Sequence, residues 1–303
     1  MPTAWRARLL RGLILSSLSA CRARAEQDGC AAPAAAESAQ VERLDLALDE
    51  PNGLSGLATD GTGAVWAVSE RDRMLIRVGQ GGAQRLVRVD DVPENTDLEA
   101  LAWLQGARFA IGTESMLPER SADLVLVVEI AGAHARIVER IPIPYAELPI
   151  KPQPNRGIEG LCYADGHLLA AFEQVVGAGM NRRAVVVERD QRGALRVLEV
   201  ALTTQTGKLS ALECRRTGQA LNVIAVERHF GVQRVIRFDV PLEGSVTSLD
   251  SRLMVSLEGR IPRGLNPEGV VWLDAGLLLV VDNDYGGRTG PNELLRVPLE
   301  AAR

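Results

Sequence analysis

The chain has 303 residues, 46% of them hydrophobic and only 4% aromatic, enough to bury a sizeable core in one or two domains. Its 34 basic residues are outnumbered by 39 acidic ones, giving a net charge of −5. No basic block occurs, and only Lys151 and Lys208 are lysines, which excludes nucleic acid as a partner class.

The first twenty residues read as a leader. Arg6, Arg8 and Arg11 precede the short apolar stretch GLILSSLSA, and Leu18-Ser19-Ala20-Cys21 follows the pattern of a bacterial lipobox. Residues 1–20 are therefore expected to be a signal peptide, with Cys21 the lipidated residue. Loss of the leader removes three arginines and no acid, taking the charge from −5 to −8. Residues 21–40 are poor in large apolar side chains and read as a disordered tether, reaching about 24 Å from the lipid. The alternative is a soluble secreted protein cut after Ala23-Arg24-Ala25. No other stretch reaches the ~18 apolar residues of a membrane span. The expected location is the periplasmic face of a bacterial envelope, with the membrane touched only through the lipid. Cys30 falls in the tether. Cys162 and Cys214 fall in the body, where export permits a disulfide; two separately buried thiols are the favoured expectation.

From residue 41 onward one pattern recurs. It appears as NGLSGLATDGTGAVWAVSER from Asn52, DLEALAWLQGARFAIGTES from Asp97 and NRGIEGLCYADGHLLAAFEQ from Asn155. It returns as KLSALECRRTGQALNVIAVER from Lys208 and NPEGVVWLDAGLLLVVDND from Asn266. Each unit reads as two short strands joined by a Gly-containing turn, followed by further strand candidates such as MLIRVG, DLVLVVEI, AVVVERD and RVIRFDV. Five units at 44 to 60 residues, with about four strands each, predict an all-β β-propeller over residues 41–303. Five blades are preferred, with VERLDLAL (41–48) supplying the last strand and closing the ring. Six are possible if a cryptic repeat lies in 142–154 or 239–265.

Two positions of the unit carry charge. Glu99, Glu159 and Glu268 open the first strand, where the other two units have Ser55 and Ser210; Glu70, Glu114, Glu173, Glu227 and Asp282 close the second. In a propeller these two places lie at one mouth of the central channel. Like charges 4 Å apart repel by roughly 4 kcal/mol at an effective dielectric near 20, so such a rim must take up protons, cations or arginines. Glu99, Glu159 and Glu268 are the candidate ligands of a hard cation, Ca²⁺. A structural network of caps and ion pairs is the competing explanation. Zinc is disfavoured, because His134, His167 and His229 lack ligand spacing.

The segments NRGIEGLCYADGHLLAAFEQ, KLSALECRRTGQALNVIAVERHF and NPEGVVWLDAGLLLVVDNDYGGRTGPNELLRVPL resemble the phytase-like family, described by its esterase-like activity of phytase. The resemblance runs in order over about residues 50–300. It implies an exported propeller that hydrolyses a small phosphorylated or ester substrate. The economical chemistry is then calcium-assisted, with Glu173, Glu227 or Asp282 as general base. Arg71, Arg156 and Arg228 are the candidate clamps on phosphate oxygens. GLSGL around Ser55 lacks the second glycine of a nucleophile elbow. The alternative function is a non-catalytic, lipid-anchored scaffold that presents segments 142–155 or 243–265 to an envelope protein or glycan.

Overall fold

Continuous runs of Val, Leu, Ile and Ala, broken by Gly- and Asp-rich turns, set the strands, and their burial pattern sets the layer. In a computed structural model, residues 40–46, 53–79, 82–274, 276–282 and 292–299 are described. The expected leader, nearly all of the tether, Cys21, Cys30 and the Asn283-Asp284 pair lie outside these residues.

The fold begins with β1 (Glu42–Asp45) and continues in meanders of four strands. The first comprises β2 (Leu54–Thr59), β3 (Val65–Ser69), β4 (Met74–Gly79) and β5 (Gly82–Val89); the second β6 (Thr96–Gln105), β7 (Arg108–Ser115), β8 (Ala122–Ala131) and β9 (His134–Pro144). The third holds β10 (Ile158–Ala164), β11 (His167–Val176), β12 (Arg183–Arg189) and β13 (Leu195–Ala201). In the fourth, β14 (Lys208–Thr217), β15 (Ala220–His229) and β16 (Val232–Pro241) are followed by β17 (Ser248–Leu249) and β18 (Arg252–Ser256). The last contains β19 (Asn266–Leu273), β20 (Gly276–Asp282) and β21 (Glu293–Pro298), completed by β1 antiparallel to β21. The segment 239–265 hides no further unit: β18 is the fourth strand of its own meander, and β17 adds in parallel to the edge of β13.

The first strands β2, β6, β10, β14 and β19 each pack on the next, and β19 returns to β2. The molecule is a β-propeller. Its core is divided into slabs between blades; one unites Ala100 and Ala110 with Ile158 and Phe172, another Leu169 and Val186 with Leu221 and Ile236. Strands near the axis are covered on both faces, so β20 is buried at every residue, whereas β9 at the edge alternates. The N-terminal strand is held by apolar contacts of Val41 and Leu46 and a bond from Leu46 N–H to Asn292 O at 2.8 Å. Its Arg296–Glu42 ion pair is half exposed and adds little, while Arg43 reaches the largely covered Glu293.

Cys162 on β10 and Cys214 on β14 form a disulfide, correcting the expectation of separate thiols. They lie 52 residues apart in sequence, but adjacent inner strands bring their Cα atoms to 5.7 Å, within disulfide range.

Candidate metal and anion site

Each inner strand among the described residues carries a bulge at or next to the repeat position held by Glu99. Leu98 and Ala100 pair with the consecutive residues Thr113 and Gly112, leaving Glu99 unpaired between them. Glu159, Ser210 and Glu268 are left over in the same way, and in β2 the extra residue is Gly56, beside Ser55. A bulge re-aims a side chain out of the regular alternation, which is how a core strand can carry an acid at its start. The residue after Ser55, Glu99, Glu159, Ser210 and Glu268 is always Gly or Ala, because the neighbouring inner strand passes close. A Cβ on Gly269 would lie 2.7 Å from the Leu57 nitrogen, and one on Gly56 2.6 Å from the Leu101 nitrogen.

The two serines serve as ties between blades. Ser55 Oγ donates to Glu99 O at 2.5 Å, and Ser210 Oγ to Pro267 O at 3.0 Å. The glutamates converge with the acids that end the second strands. Among the described residues, three groups have ligand oxygens within 4.8 Å of one another: Glu70, Glu268 and Asp282; Asp97, Glu99 and Glu114; and Glu114, Glu159 and Glu173. The expected trio of Glu99, Glu159 and Glu268 is thus shared out among three groups rather than forming one.

Burial and crowding raise the proton affinity of Glu70, Glu99, Glu114 and Glu268. Burial pushes Glu70 up to about 11, with Glu268 and Asp282 adding repulsion. Glu99 is raised well above the usual range by burial and then by Glu70 and Glu159. Glu114 rises to about 8 through burial and Glu159. Glu268 stops at about 7, because the Arg228 guanidinium opposes the effect of burial. Asn266 Nδ2 also donates to Glu268 Oε1 at 2.7 Å and to Asp282 Oδ2 at 3.3 Å. Glu114 is only 4% exposed, and its Oε1 has no hydrogen-bond partner.

Cations border the Glu173 edge of this cluster. The Lys208 amino group bonds Glu173, which Arg156 Nε approaches at 3.8 Å. Burial holds the Lys208 ammonium below its ordinary range. Burial also lowers His229 to about 4, helped by Lys208, Arg228, Arg182 and Arg156. Arg120 fixes the segment that presents Arg156: it donates to the Gln153 and Arg156 carbonyls at 2.9 and 2.6 Å and is itself held by Asp123 and Tyr145.

Of the expected bases, Glu173 and Asp282 lie in the acid groups and Glu227 does not. Glu227 is fully buried and accepts four hydrogen bonds, from the N–H and hydroxyl of Thr203 at 3.0 and 2.6 Å and of Thr204 at 3.0 and 2.5 Å. Among the expected clamps, Arg156 is exposed beside Glu173, while buried Arg228 binds Glu268 and Glu159. Arg71 lies near Asp97, whose carboxyl it pulls down against the larger upward effect of burial. Sequence reasoning passed over Asp97, Lys208 and Asn266. Each stands two residues before a bulge position, the same-face spacing of a strand, and that offset was the available signal.

A family model described as phytase-like, esterase-like activity of phytase, matches residues 50–285. The chain belongs to the phytase-like family. No curated protein matches it. Among solved structures, this phytase-like propeller is similar to RS223 β-xylosidase, with a TM-score of 0.50 at 12% identity over 86% of this chain and 95% of that one. It is also similar to the PQQ-bound aldose sugar dehydrogenase of Streptomyces coelicolor, with a TM-score of 0.48 at 14% identity over 86% and 98% of the two chains. At such identities the likeness concerns the fold alone. Among the described residues, no helix is long and apolar enough to cross a membrane.

Proposed function

We propose that this phytase-like propeller is an exported hydrolase of phosphoric or carboxylic esters that works with calcium at the acidic side of the mouth. The observation that carries the reading is Glu114, a buried carboxylate shared by two acid groups with one oxygen unpartnered. An orphaned buried oxygen normally lowers stability by about 1–3 kcal/mol, so its retention among other carboxylates fits a missing cation. The donors are all oxygens, with no thiol or imidazole among them, which suits a hard ion needing several ligands. Glu114 would hold it with Asp97 and Glu99, or with Glu159 and Glu173; Glu70, Glu268 and Asp282 offer a second place. When bound, the cation supplies positive charge against the negative charge that develops on an ester oxygen.

The remaining roles fall to the chain's own residues. Arg156 and Lys208 attract and orient an anionic group at the edge of the acid cluster. Glu173, paired with those two cations, takes the proton of the attacking water. Arg228 separates Glu159 from Glu268 and so prevents the two acid groups from collapsing into one protonated cluster. Export is supported by the Cys162–Cys214 disulfide, which belongs to an oxidising compartment. The leader and a lipid at Cys21 would complete that setting.

The test is calcium calorimetry on the chain from Cys21 onward, repeated on Glu114→Gln and Glu268→Gln, with a parallel screen of phosphoric and carboxylic esters. Binding that weakens in Glu114→Gln and hydrolysis that stops with a chelator are expected. If the native chain neither binds calcium nor hydrolyses an ester, the scaffold reading replaces this one.

A further inference from the structure

The tip of the fourth blade breaks two local rules at once. β15 and β16 are joined by the two residues Phe230 and Gly231, both with positive φ, 45° and 92°. A two-residue hairpin of this kind favours Asn-Gly, since an L side chain other than Asn or Asp is strained there. Here the place is held by phenylalanine, 86% exposed, its ring centroid 3.8 Å from that of His229. A bulky apolar residue that is both strained and exposed has no folding rationale, and such conflicts gather at functional positions.

Beside this tip lies a cavity of about 480 Å³, lined by Arg228, His229, Phe230, Arg263, Leu265 and Asn266 among others. Arg228 and Asn266 both bond Glu268, so the cavity adjoins the acid site directly. Its surroundings are cationic, with exposed Arg263 on one wall and Arg156, Arg182 and Lys208 close enough to act on His229. A small anion suits those charges, and an apolar group joined to it suits Phe230 and Leu265.

We propose that this cavity is a subsite for the apolar portion of a small anionic ligand, whose charged head lies toward Arg156 and Lys208 while its apolar group rests against Phe230 and Leu265. The proposal rests on the anion-binding half of the reading above, and not on hydrolysis. A free ligand is favoured over a membrane surface by topology. β1 is antiparallel to β21 and its C-terminal end, at Leu46, meets Asn292 beside the mouth. Gln40 and Val41 are at its other end, on the face opposite the cavity.

The experiment compares phenylphosphonate with methylphosphonate by calorimetry, with calcium and with a chelator, on the native chain and on Phe230→Asn. Neither probe can be hydrolysed as an ester, so the result is independent of any esterase activity. Phenylphosphonate is expected to bind roughly tenfold more tightly, for the apolar area it covers. In Phe230→Asn the two probes should bind alike, with Tm unchanged or higher because the turn gains its preferred residue. Equal affinities in the native chain, or a preference that survives Phe230→Asn, would overturn the proposal. So would Phe230-dependent cosedimentation with phosphatidylglycerol vesicles in the absence of any preference between the phosphonates. If calcium binding fails while the phenyl preference holds, the metal-dependent reaction falls and this subsite stands.

Discussion

The second and fourth blades present the same two repeat positions at the mouth and complete them in opposite ways. In the fourth blade these are Ser210 and Glu227, both fully buried. The serine bonds the next blade's backbone, and Glu227 receives every donor that Thr203 and Thr204 can offer. In the second blade they are Glu99 and Glu114, almost as deeply buried but set among other carboxylates, with an oxygen of Glu114 unpartnered. The difference comes from the connection that leads into each blade. The 202–207 segment folds over Glu227, whereas Asp97, the polar residue just before the Glu99 bulge, adds one more acid. One position is finished by the protein, and the other calls for a proton or a cation.

The contrast is sharpest in opposite responses to mutation. Glu227→Ala strands the Thr203 and Thr204 donors and should destabilise the domain by about 3–5 kcal/mol, lowering Tm by roughly 10 °C in a thermal melt. Glu114→Gln removes a buried carboxyl from an acidic cluster and should leave the calcium-free melt unchanged or raise it by a few degrees. It should at the same time reduce the shift produced by added calcium. A comparable loss in both variants would mean that Glu114 is already satisfied and would dissolve the contrast.

Next in size is the disulfide. Cys162–Cys214 joins adjacent inner strands across 52 residues, and the Cys162→Ala/Cys214→Ala variant should lose about 2–4 kcal/mol in denaturant unfolding. The link joins the third and fourth blades, whereas the Asp97, Glu99 and Glu114 group is built from the second blade alone. Calcium affinity should therefore survive its removal, and a loss of affinity would show that the ring transmits the change across blades.

Dependence on pH gives a smaller and more specific signal. The folded-state pKa of Glu114 is about 8 against an ordinary 4.5, so the folded domain holds a proton that the unfolded chain releases first. That contribution is fully present below about 4.5, declines as pH rises toward about 8 and is level beyond. Glu268, at about 7, acts in the same direction. Calcium-free melts should thus fall from pH 5 to pH 8, and Glu114→Gln should flatten the slope. Saturating calcium should flatten it too, since the ion replaces the proton. A calcium-free Tm that rises over that interval would contradict the protonated cluster.

The propeller was legible because its instructions are local and repeated. An acid or serine, then Gly or Ala, then an apolar run and a closing acid recur at nearly constant spacing, each serving one bulge and one hairpin. Closure by residues 42–45 was legible for the same reason, since the last unit lacked a strand. The grouping of the acids was not. Glu99, Glu159 and Glu268 share a repeat position, but their partners come from neighbouring blades, and which oxygens meet depends on ring geometry. Arg228 illustrates the limit: adjacent in sequence to Glu227, it binds Glu159 and Glu268 on the blades to either side. The disulfide was hidden likewise, because the contact of β10 with β14 comes from the packing of one blade on the next.

The smallest test concerns the serines that stand where other blades carry glutamate. Ser210 Oγ donates to Pro267 O and Ser55 Oγ to Glu99 O, so each ties its own bulge to the next blade's. If that tie is their whole function, Ser210→Ala and Ser55→Ala should each remove about 1 kcal/mol, the net worth of one buried hydrogen bond. Their effects on calcium should differ. Ser55 also approaches Glu268 Oε2 at 3.4 Å, whereas Ser210 bonds the Pro267 carbonyl. Ser55→Ala should therefore alter calcium affinity measurably and Ser210→Ala should not. Equal changes in both would place the serines in the backbone of the ring and leave the metal site to the carboxylates alone.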